Sequence, residues 1–216
     1  MDENLEAFKK YSSAAVSDAL DRLGLIGQCF GIAPLDPGYR LVGRAFTVRT
    51  RAIGYVERGT VGDYIDDVPP GDIVVLDNMG RLDATVWGNI LTEMSHKRGI
   101  GGTVIHGVCR DVARSLELQY PIFSRGRYMR TGKDRVEFDA MNVPVSLGEV
   151  QCRPGDILIG DADGVVVVPR SREEDVLAAT VDVEKAEDAI LAEIRKGSRL
   201  DEARKTFQYF QLQTRR

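Results

Sequence analysis

Arg110 and Asp111 stand side by side just beyond a short apolar run, Thr103-Val104-Ile105, that Gly107 closes. A guanidinium next to a carboxylate is poorly placed for packing at the end of a buried strand. It is well placed for chemistry, because ligands of α/β folds gather at the carboxyl ends of strands. An Asp in that position can hold a divalent cation through its oxygens, and an Arg can clamp a carboxylate with two parallel hydrogen bonds. The same dipeptide also reads as a surface ion pair capping the helix that follows, a common and weak arrangement. A second feature lies upstream, where Gly88 precedes Asn89-Ile90-Leu91 at the expected start of a helix. The first amides of a helix have no intrahelical acceptor and sit at the positive end of its dipole, so they suit a carboxylate or a phosphate. Every helix has such an end; this one gains meaning only if it faces Arg110.

The elements that must position these groups follow from periodicity and punctuation. Leu5, Phe8, Ala15, Val16, Ala19, Leu20 and Leu23 form an apolar stripe and predict a helix over 5–23, with Ser12 or Ser13 as a possible internal N-cap and Gly24 as the stop. Residues 41–50 alternate as a strand. The sentence Pro-Gly-Asp followed by an apolar run occurs twice, at 69–77 and 153–161, and suggests two strands in equivalent roles. Residues 78–83 read as a polar loop, and a helix follows Gly88 to about residue 98, with Trp87 as a packing anchor beside the site. Gly99, Gly101 and Gly102 permit the tight turn into the Thr103 strand. A short helix is expected over 112–118, a strand at 121–123, a surface loop over 124–138 and an edge strand at 143–146, where Pro144 cannot donate within a central ladder. A fully apolar strand over 164–169 precedes a long helix over 173–197, and 198–216 reads as a polar tail with an aromatic cluster, Phe207, Tyr209 and Phe210.

The totals set outer limits. A chain of 216 residues with 43% hydrophobic and 29% charged residues is an ordinary globular composition, enough for one domain with a sizeable core or two small ones. The net charge of −4 without a dense basic cluster argues against a nucleic-acid partner, and no apolar run is long enough to span a membrane. The acidic N-terminus lacks the plan of a signal peptide, and three unrelated cysteines, Cys29, Cys109 and Cys152, fit neither a disulfide framework nor a zinc knuckle; both point to the cytoplasm. Cys109 reads as a small core hydrophobe, with a reactive thiol as the alternative. His96 reads as solvated or packed.

Trp87-Gly-Asn-Ile-Leu, Arg98-Gly-Ile-Gly-Gly-Thr-Val-Ile-His-Gly-Val-Cys-Arg-Asp-Val and Asp161-Ala-Asp-Gly-Val-Val-Val-Val-Pro together resemble the ribonuclease-activity-regulator-A-like family, over roughly residues 12–200. That family includes the 4-hydroxy-4-methyl-2-oxoglutarate aldolases, which are class II pyruvate aldolases, and also proteins without lyase activity that bind a ribonuclease. The resemblance implies an α/β fold, a swivelling α/β/α sandwich with a compact mixed β core and a long C-terminal helix, forming a single domain over 1–216. It implies a homotrimer or homohexamer with the active site between subunits, and a small 2-oxo acid as substrate. Asp111 resembles the family's ligand for Mg²⁺ or Mn²⁺, and Arg110 the residue that holds the pyruvyl oxygens and the enolate. The amides of Gly88, Asn89, Ile90 and Leu91 resemble its carboxylate-binding loop, and Glu187 the acidic residue offered from an adjacent subunit to metal-bound water. Two positions depart from the pattern. Asn89 stands twenty-one places before the arginine, where active aldolases commonly carry an acid, and His106 stands where many members have Asp. An amide cannot exchange a proton near neutral pH, whereas a histidine can, so His106 is the candidate acid or base, with a buried structural role as its alternative. The activity implied is metal-dependent carbon–carbon cleavage, by retro-aldol reaction or by decarboxylation of oxaloacetate. The alternatives are a regulator that binds a ribonuclease or another partner, and a lyase or hydratase acting on a sugar-derived acid.

Overall fold

A computed structural model describes residues 2–54 and 59–207. In chain order its elements are α1 (Glu3–Phe8), α2 (Ser13–Arg22), β1 (Ala33–Pro34), β2 (Leu41–Ala52), β3 (Ile73–Thr85), α3 (Asn89–Lys97), β4 (Gly102–Cys109), α4 (Val112–Leu118), β5 (Ile122–Arg127), β6 (Val136–Met141), β7 (Val145–Leu147), β8 (Val150–Cys152), β9 (Ile157–Asp161), β10 (Gly164–Val168), α5 (Glu173–Arg195) and α6 (Leu200–Thr206). The main sheet runs β1-β5-β4-β3-β2-β9-β10, with β6 also on β2. Strands β2, β3, β4 and β5 are parallel neighbours, while β9, β10 and β6 run antiparallel to their partners. This is the expected mixed α/β core with a long C-terminal helix.

The repeated Pro-Gly-Asp turns deliver their strands to the two sides of β2. Strand β3 pairs in parallel with Ala45–Arg49, and β9 pairs antiparallel with Leu41–Arg44. Both turns place glycine in the left-handed region, Gly71 at φ +85° and Gly155 at φ +83°, which explains why glycine recurs there. The two strands are therefore matched in place and opposite in direction.

Strict alternation sorts the core. Leu41, Ala45, Ile73, Val75, Val104, Leu158, Val165 and Val167 point to one face, where Val145, Leu147, Val150 and Cys152 of the β7–β8 pair cover them. Their neighbours point the other way in two groups. Phe46, Val48, Val74, Leu76 and Ile105 pack with Trp87 and the undersides of α3 and α4, while Ile157, Ile159, Val166 and Val168 pack with α1, α2 and α5. Trp87 is fully buried and stacks on Tyr120.

The structure corrects several expected boundaries. The first helix is two helices, because Ser12 accepts from the Ala15 amide and Asp161 takes both the Ser13 amide and its hydroxyl at 2.6 Å, starting a new helix at residue 13. Residues 78–83 are not a free loop. They lie inside β3, whose register jumps between Asp77 and Arg81, with Met79 at φ 56° and Gly80 at φ 66°. The buried Asn78 side chain stabilises this irregular stretch by donating to Ala84 O and accepting from Thr50 Oγ1. Residues 124–138 carry the end of β5 and the start of β6, and the tail forms α6 before Phe207. Tyr209 and Phe210 lie outside the described residues. Among the described residues, no helix is long and apolar enough to cross a membrane.

Candidate active site

The carboxyl ends of β3 and β4 carry the candidate site. Thr85 Oγ1 lies 2.9 Å from Val108 O and 2.8 Å from Trp87 O, and the Arg110 amide donates to Trp87 O at 3.1 Å, so the two strand ends are stitched together. Trp87 Nε1 donates to Thr92 Oγ1, and Thr92 Oγ1 donates to Gly88 O, which fixes the first turn of α3 against the buried indole. Gly88 is the N-cap of α3 and offers no side-chain cap.

Asp111 is the N-cap of α4 and adopts the left-handed conformation, φ 57° and ψ 38°, which a non-glycine residue occupies only at some cost in strain. Its side chain does not cap its own helix. It reaches across to α3, where Oδ2 accepts from the Asn89 amide at 3.0 Å. Arg110 Nε lies 3.5 Å from the same oxygen, and both side chains are about 40% exposed, 40% and 39%. A Cβ on Gly88 would lie 2.8 Å from Asp111 Oδ2 and 3.3 Å from Arg110 Nε. The sequence-predicted Arg110, Asp111, Gly88, Asn89, Ile90 and Leu91 are thus brought together, and the mouth of α3 does face the Arg-Asp pair. One of its amides is already taken, since Asn89 N serves Asp111.

Beside this constellation lies a cleft of about 310 Å³, lined by Arg110, Trp87, Leu91, Val61, Asp63 and Thr131 among others. Val61, Asp63 and Thr131 come from segments remote in sequence, and nothing in their local pattern marks them; only the fold reveals them.

His106 and Glu187 are not at this cleft in the single chain. On β4, alternation sends residue 106 to the face of Val104, away from Trp87, and there His106 Nδ1 stands 3.4 Å from Asp77 Oδ1. Asp77 also accepts from the Met79 and Ser146 amides. Burial works to raise the Asp77 pKa, but the His106 contact and the two amides outweigh it and hold the carboxyl below its ordinary value. Glu187 lies half-buried on α5, which packs chiefly on α2, α6 and α1 rather than on α3 or α4. Its pKa is raised by burial first and then by the neighbouring carboxylates of Asp18, Glu184 and Asp188. Cys109 is buried and its thiol is pushed up by that burial, so it behaves as a core residue.

No group of three or more His, Cys, Asp or Glu side chains able to hold a metal occurs among the described residues. At the start of α3 the donor is one carboxylate, Asp111, whose Oδ1 makes no hydrogen bond among the described residues, and Asp63 adds a carboxylate to the lining of the cleft. One hard oxygen ligand, half-exposed beside a cleft, fits a cation such as Mg²⁺ that keeps most of its shell as water and substrate oxygens.

The chain matches the family described as RraA-like: Aldolase/RraA over residues 13–167. It is 38% identical over 204 residues to Protein DlpA of Legionella pneumophila, a match covering 93% of this chain but only 33% of that one, so the chain spans a third of that relative's length. It is 36% identical over 170 residues to a Halalkalibacterium halodurans protein named "Putative 4-hydroxy-4-methyl-2-oxoglutarate aldolase", covering 79% of this chain and 78% of the other. Among solved structures, an uncharacterized protein from Pseudomonas syringae pv. tomato superposes with a TM-score of 0.86 at 40% identity, covering 94% of this chain and 98% of that one. Streptomyces coelicolor RraAS2, described as an unusual member of the RNase ES inhibitor RraA protein family, superposes at 0.80 with 28% identity, covering 87% and 95%. By the extent of these matches, the chain belongs to the RraA-like family.

Proposed function

We propose that the protein is a divalent-metal-dependent carbon–carbon lyase acting on a small 2-oxo acid, by retro-aldol cleavage of the 4-hydroxy-4-methyl-2-oxoglutarate type, by decarboxylation of the oxaloacetate type, or by both. The observation that carries this reading is the placement of Arg110 and Asp111 against the open start of α3 beside the cleft. Asp111 would hold Mg²⁺ or Mn²⁺. Such an ion, when bound, acts as a Lewis acid toward the 2-oxo group. Arg110 would donate to the oxygens on which negative charge gathers as the pyruvyl fragment becomes an enolate, an interaction stronger in the transition state than in the substrate. The Ile90 and Leu91 amides, which have no acceptor within α3, would bind the substrate carboxylate.

Proton transfer separates the two reactions. Retro-aldol cleavage needs a base for the 4-hydroxyl proton, and the Asn89 amide group cannot be that base. Decarboxylation forms the same enolate as carbon dioxide leaves and needs no such base, so Asn89 favours it; a proton must still reach the enolate afterwards. His106 is kept as a candidate acid only through a route that joins the two faces of β4. Glu187 would act from an adjacent subunit of a homotrimer or homohexamer.

A pyruvate-coupled assay over a panel of 2-oxo acids with Mg²⁺ and Mn²⁺, run beside Asp111→Ala, tests this. The expected result is metal-dependent pyruvate release that falls by more than about 100-fold in the variant, beyond the range seen when a metal ligand's hydrogen-bond partner is lost. Equal activity in the variant refutes the assignment of Asp111. Absence of both turnover and metal binding favours the regulatory alternative.

A further inference from the structure

We propose that Asp77, His106 and Arg125 form a second binding site, apart from the Arg110–Asp111 cleft, which takes a small oxyanion and holds it more tightly as pH falls. Three neighbouring parallel strands, β3, β4 and β5, supply one side chain each. Asp77 is fixed from three sides, by the Met79 and Ser146 amides and by His106 Nδ1. The contact with Asp77 keeps a proton on Nδ1 and leaves Nε2 as the free nitrogen of the ring. Nε2 makes no hydrogen bond among the described residues, and it is not sealed from solvent. Arg125 reaches the same point from β5. A Cβ on Gly80 would lie 2.8 Å from Arg125 Nη1 and 3.0 Å from His106 Nε2. The two nitrogens therefore stand within about 6 Å of one another, a gap that a carboxylate or a tetrahedral anion bridges with two hydrogen bonds of ordinary length. Arg125 makes one long bond, from Nη1 to Gly80 O at 3.3 Å, so its guanidinium keeps donors for such a guest. The backbone is bent around this point. Met79 at φ 56° and Gly80 at φ 66° occupy the register jump of β3, and Met79 is bulky for the left-handed region. Strain and register breaks of this kind gather at ligand sites, where they re-aim side chains.

The pH dependence follows from the charges around His106. From β3, Asp77 favours the imidazolium, while Arg81 and Asp83, further along that strand, pair with each other. From β5, Arg125 opposes the imidazolium, and Arg127 lies opposite Cys109 instead. Strand β7 also packs on β4, and its Val145, Ser146 and Leu147 do not titrate. A neutral ring turns the lone pair of Nε2 toward an anion, whereas a protonated ring makes Nε2 a donor. The bound oxyanion also offsets the repulsion between imidazolium and guanidinium. Protonation and anion binding therefore strengthen each other by the same factor.

The test uses the full chain carrying His96→Gln, which leaves His106 as the one imidazole signal, because the chain has two histidines. Sulfate and formate are titrated at constant ionic strength at about pH 5.5 and about pH 8.5, on either side of the ordinary histidine value. Both probes stay ionised over that range, so a change of affinity reports the protein. The ring resonances of His106 are followed by NMR. The expected result is saturable binding of at least one anion, with Kd about tenfold lower at the acid pH. Arg125→Gln should weaken that binding at least about tenfold, while its thermal unfolding stays close to that of the parent because the side chain is exposed. Either anion binding in this way supports the site, and the tighter of the two tells a tetrahedral guest from a planar carboxylate. Signals of His106 unmoved by both anions, an affinity independent of pH, or an affinity unchanged in Arg125→Gln overturns the proposal.

Discussion

The helix starts over the two halves of the sheet's helical face are finished differently. At α1, Asp2 accepts from the Leu5 amide; at α2, Ser12 accepts from Ala15 and Asp161 accepts twice from Ser13. These ends are closed by carboxylates and hydroxyls that serve only the fold. At α3 and α4, the N-cap residues Gly88 and Asp111 make no side-chain bond to their own helices, and Asp111 crosses instead to the first amide of α3. The cap forgone at Gly88 costs only a few tenths of a kcal/mol and the one forgone at Asp111 about 1 kcal/mol. The Asp111 backbone adds left-handed strain. The difference teaches where the chain spends stability: the helical pair beside the cleft keeps its donors open, and the pair over β9 and β10 does not.

The comparison can be attacked first at Gly88. A methyl there would lie 2.8 Å from Asp111 Oδ2, the end of a side chain free to swing aside. Gly88→Ala should therefore cost roughly 0.5–1 kcal/mol, the difference between glycine and alanine at an N-cap, while displacing the carboxylate from Asn89 N. A loss of roughly 100-fold in turnover is expected, equivalent to about 2.7 kcal/mol in the barrier. Steady-state rates beside thermal unfolding check it, and unchanged turnover would mean that Asp111 need not sit where it does.

Asp161→Ala makes the converse cut. It removes two short, charge-assisted bonds to Ser13, with an expected cost of about 2 kcal/mol at pH 7 and no change in turnover. The pH dependence follows from the sign of the shift. Burial raises the Asp161 pKa, but the Ser13 and Asp163 hydrogen bonds and the Arg40 charge outweigh it, so the folded carboxyl sits below its ordinary value. A depressed carboxyl contributes stability that is fully present above the unfolded value of about 3.9 and is lost as pH falls through the folded one. Denaturant unfolding of wild type and variant should therefore differ most near neutrality and converge below about pH 4.

What the sequence discloses follows the range over which each physical rule acts. The turn glycines, the apolar run of β4 and the start of α3 at Gly88 are local signals, and each falls where the residues indicate, whereas Gly107 does not close β4, which runs on to Cys109 because its neighbours β3 and β5 keep pairing with it. The meeting of α3 with Asp111 also follows, because two strand ends that are parallel neighbours bring their next helices together. The fate of His106 depends on which face of β4 it occupies, and so on a register that one strand alone does not state. Residues 78–83 look like a loop because they are polar; they extend β3 because Asn78 satisfies Thr50 and Ala84 inside the fold. Val61, Asp63 and Thr131 carry no local mark, since their role comes from chain segments meeting at the cleft.

The smallest expected effect gives the cleanest control. Ser12→Ala removes a hydroxyl whose one recorded task is to accept from the Ala15 amide at 3.1 Å. The loss should be about 1 kcal/mol, and Ser12→Gly should lose only a few tenths. For a chain of this length the alanine variant should melt about 2–4 °C below wild type. Neither variant should alter turnover, because α2 packs on α5 and the outer strands rather than on α3 or α4. If Ser12→Ala slowed the reaction as much as it lowered Tm, the two helical groups would be energetically coupled. The open starts of α3 and α4 would then reflect the balance of the whole fold, and the division drawn between them and the closed pair would fail.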